Sequence, residues 1–491
     1  MTRLPLYPRA EFPRELDICL TDGCNLDCGY CYFDAKRRSA PAALTPAQIE
    51  RALDLYLGRI RPERIQKLSF SGGEPLTVFP TLLAGLAAAR RKIGPRANIE
   101  VFTNGTLLDR RKAELLMEHD PALIVSFDGP REVCDAGRKF YGGRGSVYAA
   151  VDRALKALGP GLVSKCFAGA TFSRATVGRM KESVEFLLER GFKCVIVDLD
   201  VLARWDERSV AVLRRQAEGL KRLYAANMEC GFGEVQQRLR FDFLISREEL
   251  ARVGKPAGLR ELSLAPDGRF YPSGLVSGYG AAKRRYLVGD LERGFDDGRL
   301  NAVLGELRRY FGAHARPGYN GCPTHVYFDC RLGGLDPERV FAAGERLFRA
   351  LDPLIGPVID FELLQNALAS APGLGDFDHA PPAVPGRELR ELALELPDTA
   401  GRAAGPARAG IDALLYSPGR RKRLTLLVAG GPGSYEALSR LAAYALMKAR
   451  ALKKALRLAV RPRSAAPCPR TLEFMREHGL ELLAGPGGRR A

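Results

Sequence analysis

The sequence lacks the long apolar runs that mark membrane and secreted proteins. None of its 491 residues lies in an uninterrupted apolar stretch of about 18 or more, so no transmembrane helix is expected. The opening residues MTRLPLYPRAEFPRELD contain no apolar segment of the kind found in a secretory signal. The 11 cysteines are odd in number and unevenly spaced, unlike a disulfide framework. These absences predict a cytoplasmic protein with reduced thiols.

Recognisable nucleic-acid-binding modules are also absent, although the formal net charge is +18. The excess arginines are scattered along predicted helices, as in AAARRKIGPR, and do not alternate with aromatic residues in a basic stripe. An arginine-rich coding bias accounts for this charge most simply. An acidic peptide partner is the main alternative, and nucleic acid is the least favoured partner.

Short β-branched runs alternate with amphipathic helical stretches between residues 15 and 230, which predicts an α/β fold with a parallel sheet. The predicted strands are Glu15–Leu20, Lys67–Ser71, Asn98–Thr103, Leu123–Phe127, Val163–Phe172 and Lys193–Leu199. Six strands alternating with six helices indicate a partial (β/α)6 barrel, whose catalytic groups should cluster at the C-terminal strand ends. Cys19, Cys166 and Cys194 lie inside these strands and are expected to be small buried packing residues.

The character of the chain changes after residue 230, where short strands and turns replace this alternation. SLAPDGRFYPSG predicts a hairpin around Asp267–Gly268. Sequence rich in Ala, Pro and Gly then predicts a linker with one amphipathic helix in RELRELALEL. The predicted organisation is an N-terminal arm (1–14), the barrel (15–230), a small α+β domain (231–360), the linker (361–421) and a C-terminal α/β module (422–491).

Three cysteines with the spacing C-x3-C-x2-C follow the first predicted strand, in DGCNLDCGYCYF. Thiolates from Cys24, Cys28 and Cys31 can bind three irons of a [4Fe–4S] cluster and leave the fourth iron open. A closed structural site usually takes four ligands, and no fourth Cys or His lies near in the sequence. A loop of free cysteines is the alternative.

This triplet, with Tyr30 before its last cysteine, resembles the radical S-adenosylmethionine (SAM) enzymes. In that family SAM chelates the open iron through its amino and carboxylate groups. The resemblance implies a [4Fe–4S] cluster and SAM as cofactors, with a flavodoxin or ferredoxin as electron donor. It also implies reductive cleavage of SAM and a 5′-deoxyadenosyl radical that abstracts a substrate hydrogen.

Three further motifs lie at predicted strand ends in the order of that family, namely SGGEP, TNGTLL and SFDG. Each could also be an ordinary strand-end turn. The SAM contacts that the resemblance implies are Gly72, Gly73 and Glu74 at the methionyl end, with Asn104, Ser126, Asp128 and Tyr30 at the nucleoside.

The run SFDGPREVCDAGR is similar to a stretch of anaerobic sulfatase-maturating and other peptide-modifying radical SAM enzymes. Asp135 and Arg138 match that stretch, whereas Cys134 stands where those enzymes usually carry His. Gly169 is a second departure, because the relatives often place an Arg there, near the SAM carboxylate. Arg174 is the nearby arginine that could substitute for it.

The second domain resembles a SPASM or twitch domain that has lost cluster ligands. Ser273 occupies the position of the first SPASM cysteine, and GYNGCPTHVYFDCRLGG offers only Cys322, His325 and Cys330. Because an auxiliary [4Fe–4S] cluster normally takes four thiolates, we expect a degenerate domain without one. A single metal or cluster site formed by Cys322, His325 and Cys330 is the alternative.

The resemblance implies a radical SAM enzyme that modifies a peptide or protein side chain, with a ribosomally made peptide preferred. An acidic leader peptide would suit the basic chain. Asp198 and Asp200, on the last barrel strand, are candidate acid/base or substrate-anchoring groups, with structural capping as the alternative. Small-molecule chemistry in cofactor biosynthesis and a non-catalytic binding module on the same scaffold are the alternative functions.

Overall fold

The chain divides into two compact units in its computed structural model, Met1–Gln216 with Arg240–Leu351 and Ala217–Leu239 with Asp352–Ala491. The structure describes residues 12–31, 33, 41–95, 97–200, 205–226, 228–231, 234–241, 259, 261–278, 281–314, 327–328, 331–334, 347, 350–351 and the strands 391–395, 410–416, 423–430, 455–462 and 481–482. Within this part of the chain, no helix combines the length and apolar character needed to cross a bilayer.

Six parallel strands in chain order form the centre of the first unit, as the sequence pattern predicts. They are β1 (Glu15–Cys19), β2 (Lys67–Ser71), β3 (Ile99–Thr103), β4 (Ala122–Ser126), β5 (Phe167–Phe172) and β6 (Cys194–Leu199). Each pairs in parallel with the next strand along the chain. The predicted partial (β/α)6 arrangement is therefore confirmed, and the C-terminal ends of all six strands share one edge.

Helices follow most of these strands. They are α1 (Pro46–Leu57), α2 (Phe79–Ile93), α3 (Arg110–Met117), α4 (Arg131–Gly137), α5 (Val147–Leu158), α6 (Pro160–Val163), α7 (Met180–Glu189) and α8 (Glu207–Ala226). Helix α1 begins at a capping box, in which the Thr45 side chain accepts from the Gln48 N–H and the Gln48 side chain accepts from the Thr45 N–H. Pro46 fits the first turn, where its missing N–H costs nothing.

The observed strands begin and end within one residue of the predicted ones, except at β5. Residues from Val163 were predicted as strand, but Pro160–Val163 form a helical turn and β5 begins only at Phe167. Gly159 has a φ of 73° and ends α5, and Pro160 then starts the new turn. Cys19, Cys166 and Cys194 are buried and free of disulfides, which confirms their predicted packing role.

A short antiparallel extension continues the sheet beyond β1. Its strands are β10 (Glu261–Leu264), β11 (Arg269–Tyr271), β12 (Gly289–Asp290) and β13 (Gly294–Phe295). Three further strands precede them in the chain, namely β7 (Met228–Gly231), β8 (Glu234–Gln237) and β9 (Leu239–Phe241). Strand β10 pairs in parallel with β1 and forms the predicted hairpin with β11 around Gly268, whose φ is 75°. Two helices, α9 (Gly274–Gly278) and α10 (Asp297–His314), complete this region.

The second unit contains a separate five-stranded sheet in the order β14-β15-β16-β17-β18. These strands are Glu391–Glu395, Gly410–Tyr416, Arg423–Gly430, Ala455–Pro462 and Glu481–Leu482. The last three pair in parallel. The helix predicted in the linker is wrong at residues 391–395, which form a strand paired antiparallel with β15.

The two faces of the barrel sheet have different chemistry. Phe70 faces the helices, since a Cβ built on Gly85 of α2 would lie 2.8 Å from its ring and 3.3 Å from Ile49 of α1. The opposite face is polar along one half, where Glu15, Asp17, Lys67, Ser69 and Glu100 alternate with the helix-facing residues. The other half is apolar and consists of Phe102, Ile124, Phe167, Cys194 and Ile196.

Asp17 is the most unusual group on the polar half. Its two carboxylate oxygens accept hydrogen bonds from the Ser69 and Ser263 hydroxyls, both at 2.9 Å. Burial, together with the nearby Glu261 carboxylate, raises the pKa of Asp17 to about 6. The ionised form of Asp17 is therefore disfavoured in the folded protein.

Asp17→Asn is expected to stabilise the protein at pH 8 by about 2–3 kcal/mol. The wild type has its full stability from this group below pH 4, and loses it as the pH rises towards the folded-state pKa of about 6. Asn cannot ionise, so the gain should be near zero at pH 4. Urea unfolding of the cluster-free protein at both pH values measures this difference. Equal destabilisation at both pH values would show that the Asp17 hydrogen bonds, not its charge, dominate.

Candidate cluster and cofactor site

The three predicted cluster cysteines lie on the loop that follows β1, at the edge shared by the strand ends. Cys24 is half-buried, Cys28 is buried and Cys31 is exposed, and none forms a disulfide. Among the described residues, no group of three or more His, Cys, Asp or Glu side chains converges as a site for one metal ion requires. Thiolates of a [4Fe–4S] cluster each bind a separate iron and need no such convergence.

Two glycines after β2 bring its backbone directly against this cysteine loop. The Gly73 N–H donates to the Thr21 carbonyl at 2.7 Å. A Cβ on Gly73 would lie 2.1 Å from the Gly23 carbonyl oxygen and 3.1 Å from the Cys24 nitrogen. Gly72 has a φ of 131°, which favours glycine, and its Cβ would lie 2.4 Å from the Thr21 oxygen. Only glycine fits at both positions, and the backbone at the end of β2 therefore packs directly against the loop that carries Cys24.

The Glu74 carboxylate is fully buried and bonded to the protein. Its Oε1 accepts from the Leu76 N–H at 2.9 Å and the Thr103 hydroxyl at 2.7 Å, and its Oε2 accepts from the Asn104 N–H at 2.6 Å. Burial raises the pKa of Glu74, while these hydrogen bonds oppose that shift. The carboxylate therefore links the end of β2 to the end of β3 and is used by hydrogen bonds within the protein. The SAM contact predicted for this segment would have to come from its backbone, and it stays a prediction.

Asn104 directs its side-chain amide at the cysteine loop. Its Oδ1 accepts from the Thr106 N–H at 3.0 Å, which leaves the NH2 group to donate to Asn25 at 2.8 Å and to the Cys24 sulfur at 3.8 Å. The Leu26 N–H also donates to the Cys24 sulfur, at 3.4 Å. Hydrogen bonds of this kind to a ligating sulfur help to set the reduction potential of a cluster. The nucleoside contact inferred for Asn104 from its motif stays a prediction.

Asp128 lies just beyond β4 and is 1% exposed. Its carboxylate accepts from the Tyr30 hydroxyl at 2.7 Å, from Arg138 Nε and Nη2 at 2.9 Å each, and from the Thr171 N–H at 3.0 Å. These four bonds use the four lone-pair directions of a carboxylate. The ribose contact predicted for Asp128 would therefore require one of them to break.

Ser126 differs from Asp128 in being partly exposed at the end of β4. Its hydroxyl makes no hydrogen bond to another described residue, so it is available to a ligand. The neighbouring Phe127 N–H donates to the Gly169 carbonyl at 2.9 Å, which fixes this strand end against β5. The SAM contact predicted for Ser126 fits this geometry and stays a prediction.

Residues 18–161, which include the cysteine loop and the three motifs after β2, β3 and β4, match the family model of the radical SAM superfamily. This chain carries a radical SAM domain. The resemblance inferred from the cysteine spacing and from SGGEP, TNGTLL and SFDG is confirmed. A radical SAM domain implies a [4Fe–4S] cluster and SAM, and three thiols on a loop packed against a glycine backbone fit that pair of cofactors.

Proteins similar to this radical SAM domain have different activities. One is a GTP 3′,8-cyclase of Mycobacterium marinum, 37% identical over 116 residues, which cover 23% of this chain and 31% of the relative. Another is a cysteine-type anaerobic sulfatase-maturating enzyme of Clostridium perfringens, 29% identical over 125 residues, which cover 24% and 34%. The chain thus matches about a third of the length of these relatives.

The fold extends the likeness beyond the radical SAM domain. The solved structure of anSMEcpe with bound AdoMet has a TM-score of 0.52 to this chain at 17% sequence identity. The match covers 71% of this chain and 99% of that chain. At this sequence identity the likeness shows a shared fold and no more.

Asp198 and Asp200 occupy different places at the end of β6 of the radical SAM domain. Asp198 is exposed and pairs in register with Thr171, on the face that carries Cys194 and Ile196. Asp200 follows the strand, and its carbonyl accepts from the Trp205 indole N–H at 2.8 Å. The geometry favours Asp198 over Asp200 as the acid/base or anchoring candidate, and its role stays a prediction.

The alternative site formed by Cys322, His325 and Cys330 lies outside the described residues. Ser273, which occupies the first SPASM cysteine position, is described and fully buried. Its hydroxyl accepts from the Leu275 N–H at 3.2 Å, at the start of α9. The serine at this position therefore supports local structure, and the expected absence of an auxiliary cluster stays a prediction.

The side-chain partners of the cysteine loop were not predictable from spacing alone. Residues 137–141, which end α4 and follow it, form backbone hydrogen bonds along residues 25–29. Arg138 could be singled out from the sequence, because it matches the motif of the peptide-modifying enzymes. Nothing in the sequence paired it with Asp128 and Tyr30.

Proposed function

We propose that this protein is a radical SAM enzyme that modifies a side chain of a peptide or protein, with a ribosomally made peptide as the preferred substrate. The observation that carries the radical SAM part of the proposal is the close packing of the Gly72–Gly73 backbone against the loop that carries Cys24. When bound at this site, the cluster would supply the electron that cleaves SAM, and the cleaved SAM would supply the radical that removes a substrate hydrogen.

The chain's own residues would divide the work of binding at this site. Cys24, Cys28 and Cys31 would hold the cluster, and the backbone of Gly72 and Gly73 would receive the methionyl end of SAM. The Ser126 hydroxyl, without a partner among the described residues, would hold the nucleoside side. Tyr30 would flank the adenine through its backbone and ring, while its hydroxyl stays on Asp128.

Two comparisons support a peptide substrate. The chain is similar to a sulfatase-maturating enzyme, whose substrate is a protein by its name. It also shares the fold of anSMEcpe solved with bound AdoMet and the Cp18Cys peptide, at a TM-score of 0.50. The exposed carboxylate of Asp198 would then serve as the acid/base or anchor for the peptide. An acidic segment in that peptide would complement the net charge of +18.

The second candidate function is small-molecule chemistry. The similarity to a GTP 3′,8-cyclase favours it, at 37% identity over 116 residues. That match covers only 31% of the relative, so it supports shared cofactor binding more than it supports a shared substrate. In either case a one-electron donor of the flavodoxin or ferredoxin class would reduce the cluster, in the cytoplasm.

Candidate peptides encoded beside this gene are expected to increase 5′-deoxyadenosine formation several-fold over SAM and reductant alone. The reconstituted protein would be incubated with each peptide or with GTP, and the nucleoside and the peptide mass measured together. Asp198→Asn should keep the peptide-independent background and lose the mass change, because only the group facing the substrate is altered. Stimulation by GTP, with no response to any peptide, would favour the small-molecule function instead.

A further inference from the structure

We propose that residues 137–141, locked to the barrel by the Arg138–Asp128 ion pair, are a template that shapes the cysteine loop before the cluster binds. The proposal rests on the proposed function, in which Cys24, Cys28 and Cys31 hold the cluster. It adds three positioning residues, Tyr30, Asp128 and Arg138, which act on the cluster only through the loop.

The first support is continuous backbone pairing between the template and the loop. The bonds run from Asp27 N to Lys139 O at 2.6 Å, from Gly29 N to Gly137 O at 2.9 Å and from Tyr141 N to Asn25 O at 3.1 Å, around an antiparallel bridge between Leu26 and Phe140. These contacts span every residue between Cys24 and Cys28. The template therefore sets the distance and direction between the first two cluster ligands.

The pairing also determines which amides face the sulfur atoms. Alternate N–H groups of an extended segment point to opposite sides. The Asp27 and Gly29 amides point at the template, while the Leu26 amide donates to the Cys24 sulfur at 3.4 Å. A one-residue shift of the template would exchange these directions and turn the Leu26 amide away from the sulfur.

The ion pair fastens the template to the barrel. Arg138 and Asp128 are 6% and 1% exposed, and the guanidinium binds both carboxylate oxygens at 2.9 Å. Asp128 is in turn held by the Thr171 N–H of β5. A bidentate pair of this kind fixes orientation as well as distance. Because Arg138 lies within the template, its side chain sets the position of the backbone beside Gly29.

Tyr30 connects the far end of the loop to the same pair. Its hydroxyl donates to Asp128 at 2.7 Å, and its ring lies 5.4 Å from the Arg138 guanidinium carbon. A Cβ on Gly137 would lie 2.7 Å from this ring, so the glycine at that position leaves room for Tyr30. The residue before Cys31 is therefore anchored to the carboxylate that anchors the template.

The test compares how tightly each variant holds its cluster after anaerobic reconstitution. Tyr30→Phe removes one hydroxyl and keeps the Arg138–Asp128 ion pair, so it should lower the thermal midpoint of the cluster-free protein less than loss of either charge alone. It should lose iron to a chelator about tenfold faster than the wild type, since groups that orient metal ligands typically change affinity by about that factor or more. The electron paramagnetic resonance spectrum of its reduced cluster should shift or broaden.

A double variant separates positioning from folding. Asp128→Asn or Arg138→Gln alone leaves a buried charge without its partner and should lower the thermal midpoint. Asp128→Asn with Arg138→Gln removes both charges and should recover much of that loss, yet still lose iron about tenfold faster. Arg190→Gln is the matched control, because it breaks an ion pair with Asp152 on α5 and should keep wild-type iron retention.

The outcomes distinguish the template from the proposed function. Iron retention and spectra equal to the wild type in Tyr30→Phe and in the double variant would overturn the template, while leaving the cluster assignment intact. A wild type that binds no iron after reconstitution would overturn that assignment and the template with it.

Discussion

Replacing Cys24, Cys28 and Cys31 together by alanine is expected to remove all iron from the reconstituted protein. The wild type should bind about four irons per chain, the content of one [4Fe–4S] cluster. Within the described part of the chain, no group of three or more His, Cys, Asp or Glu side chains converges as a second site for a metal ion would require. Iron and sulfide counts on both proteins measure the difference.

Cys134→Ala is the matched control for the triple variant. Burial, with the nearby Asp128 charge, raises the pKa of the Cys134 thiol to about 12, so it stays protonated and is a poor iron ligand. This variant should keep about four irons. Iron remaining in the triple variant would contradict the expected single cluster and would point to Cys322, His325 and Cys330.

Gly73→Ala is expected to be as damaging as loss of a cysteine, although it removes no chemical group. The added Cβ would lie 2.1 Å from the Gly23 carbonyl oxygen, and both partners are backbone atoms that cannot rotate away. The cysteine loop must then move away from β2, which should reduce iron incorporation at least tenfold. The free energy of unfolding should fall by about 1–3 kcal/mol, as for other overpacked sites.

Gly29→Ala provides the comparison within the same loop. The nearest atom to its Cβ would be the Gly137 oxygen at 3.9 Å, an ordinary contact. We expect wild-type iron content and SAM binding in this variant, measured by iron assay and by equilibrium dialysis with labelled SAM. If Gly73→Ala also bound iron and SAM like the wild type, the close approach of β2 would have no role in the site.

The sequence predicted the barrel well because its strands are short buried runs between amphipathic helices, and the first helix begins at a local signal, the capping box of Thr45 and Gln48. The errors arose where local pattern was ambiguous. ELALE at 391–395 suits a helix face and an alternating strand equally, and its pairing with β15 decided the outcome. Pro160 started a helical turn where β-branched residues predicted a longer strand.

The site was predictable where its groups are close in sequence. The cysteine spacing and the paired glycines at 72–73 are local patterns with a direct physical reason. The partners of Asp128 were not predictable, because Tyr30 lies 98 residues away and meets it only after four strands have paired. The same holds for Glu74, whose carboxylate accepts hydrogen bonds from Thr103 and Asn104 at the end of β3. These two residues lie 29 and 30 positions further along the chain.

Anaerobic reconstitution followed by an assay of reductive SAM cleavage tests the central claim most directly. With about four irons bound per chain, the reduced wild type should convert SAM to 5′-deoxyadenosine and methionine, and the Cys24/Cys28/Cys31 triple variant should form neither. A wild type that carries its full iron and binds SAM, yet forms no 5′-deoxyadenosine under reduction, would contradict the enzyme assignment. The protein would then be a binding module on a radical SAM scaffold.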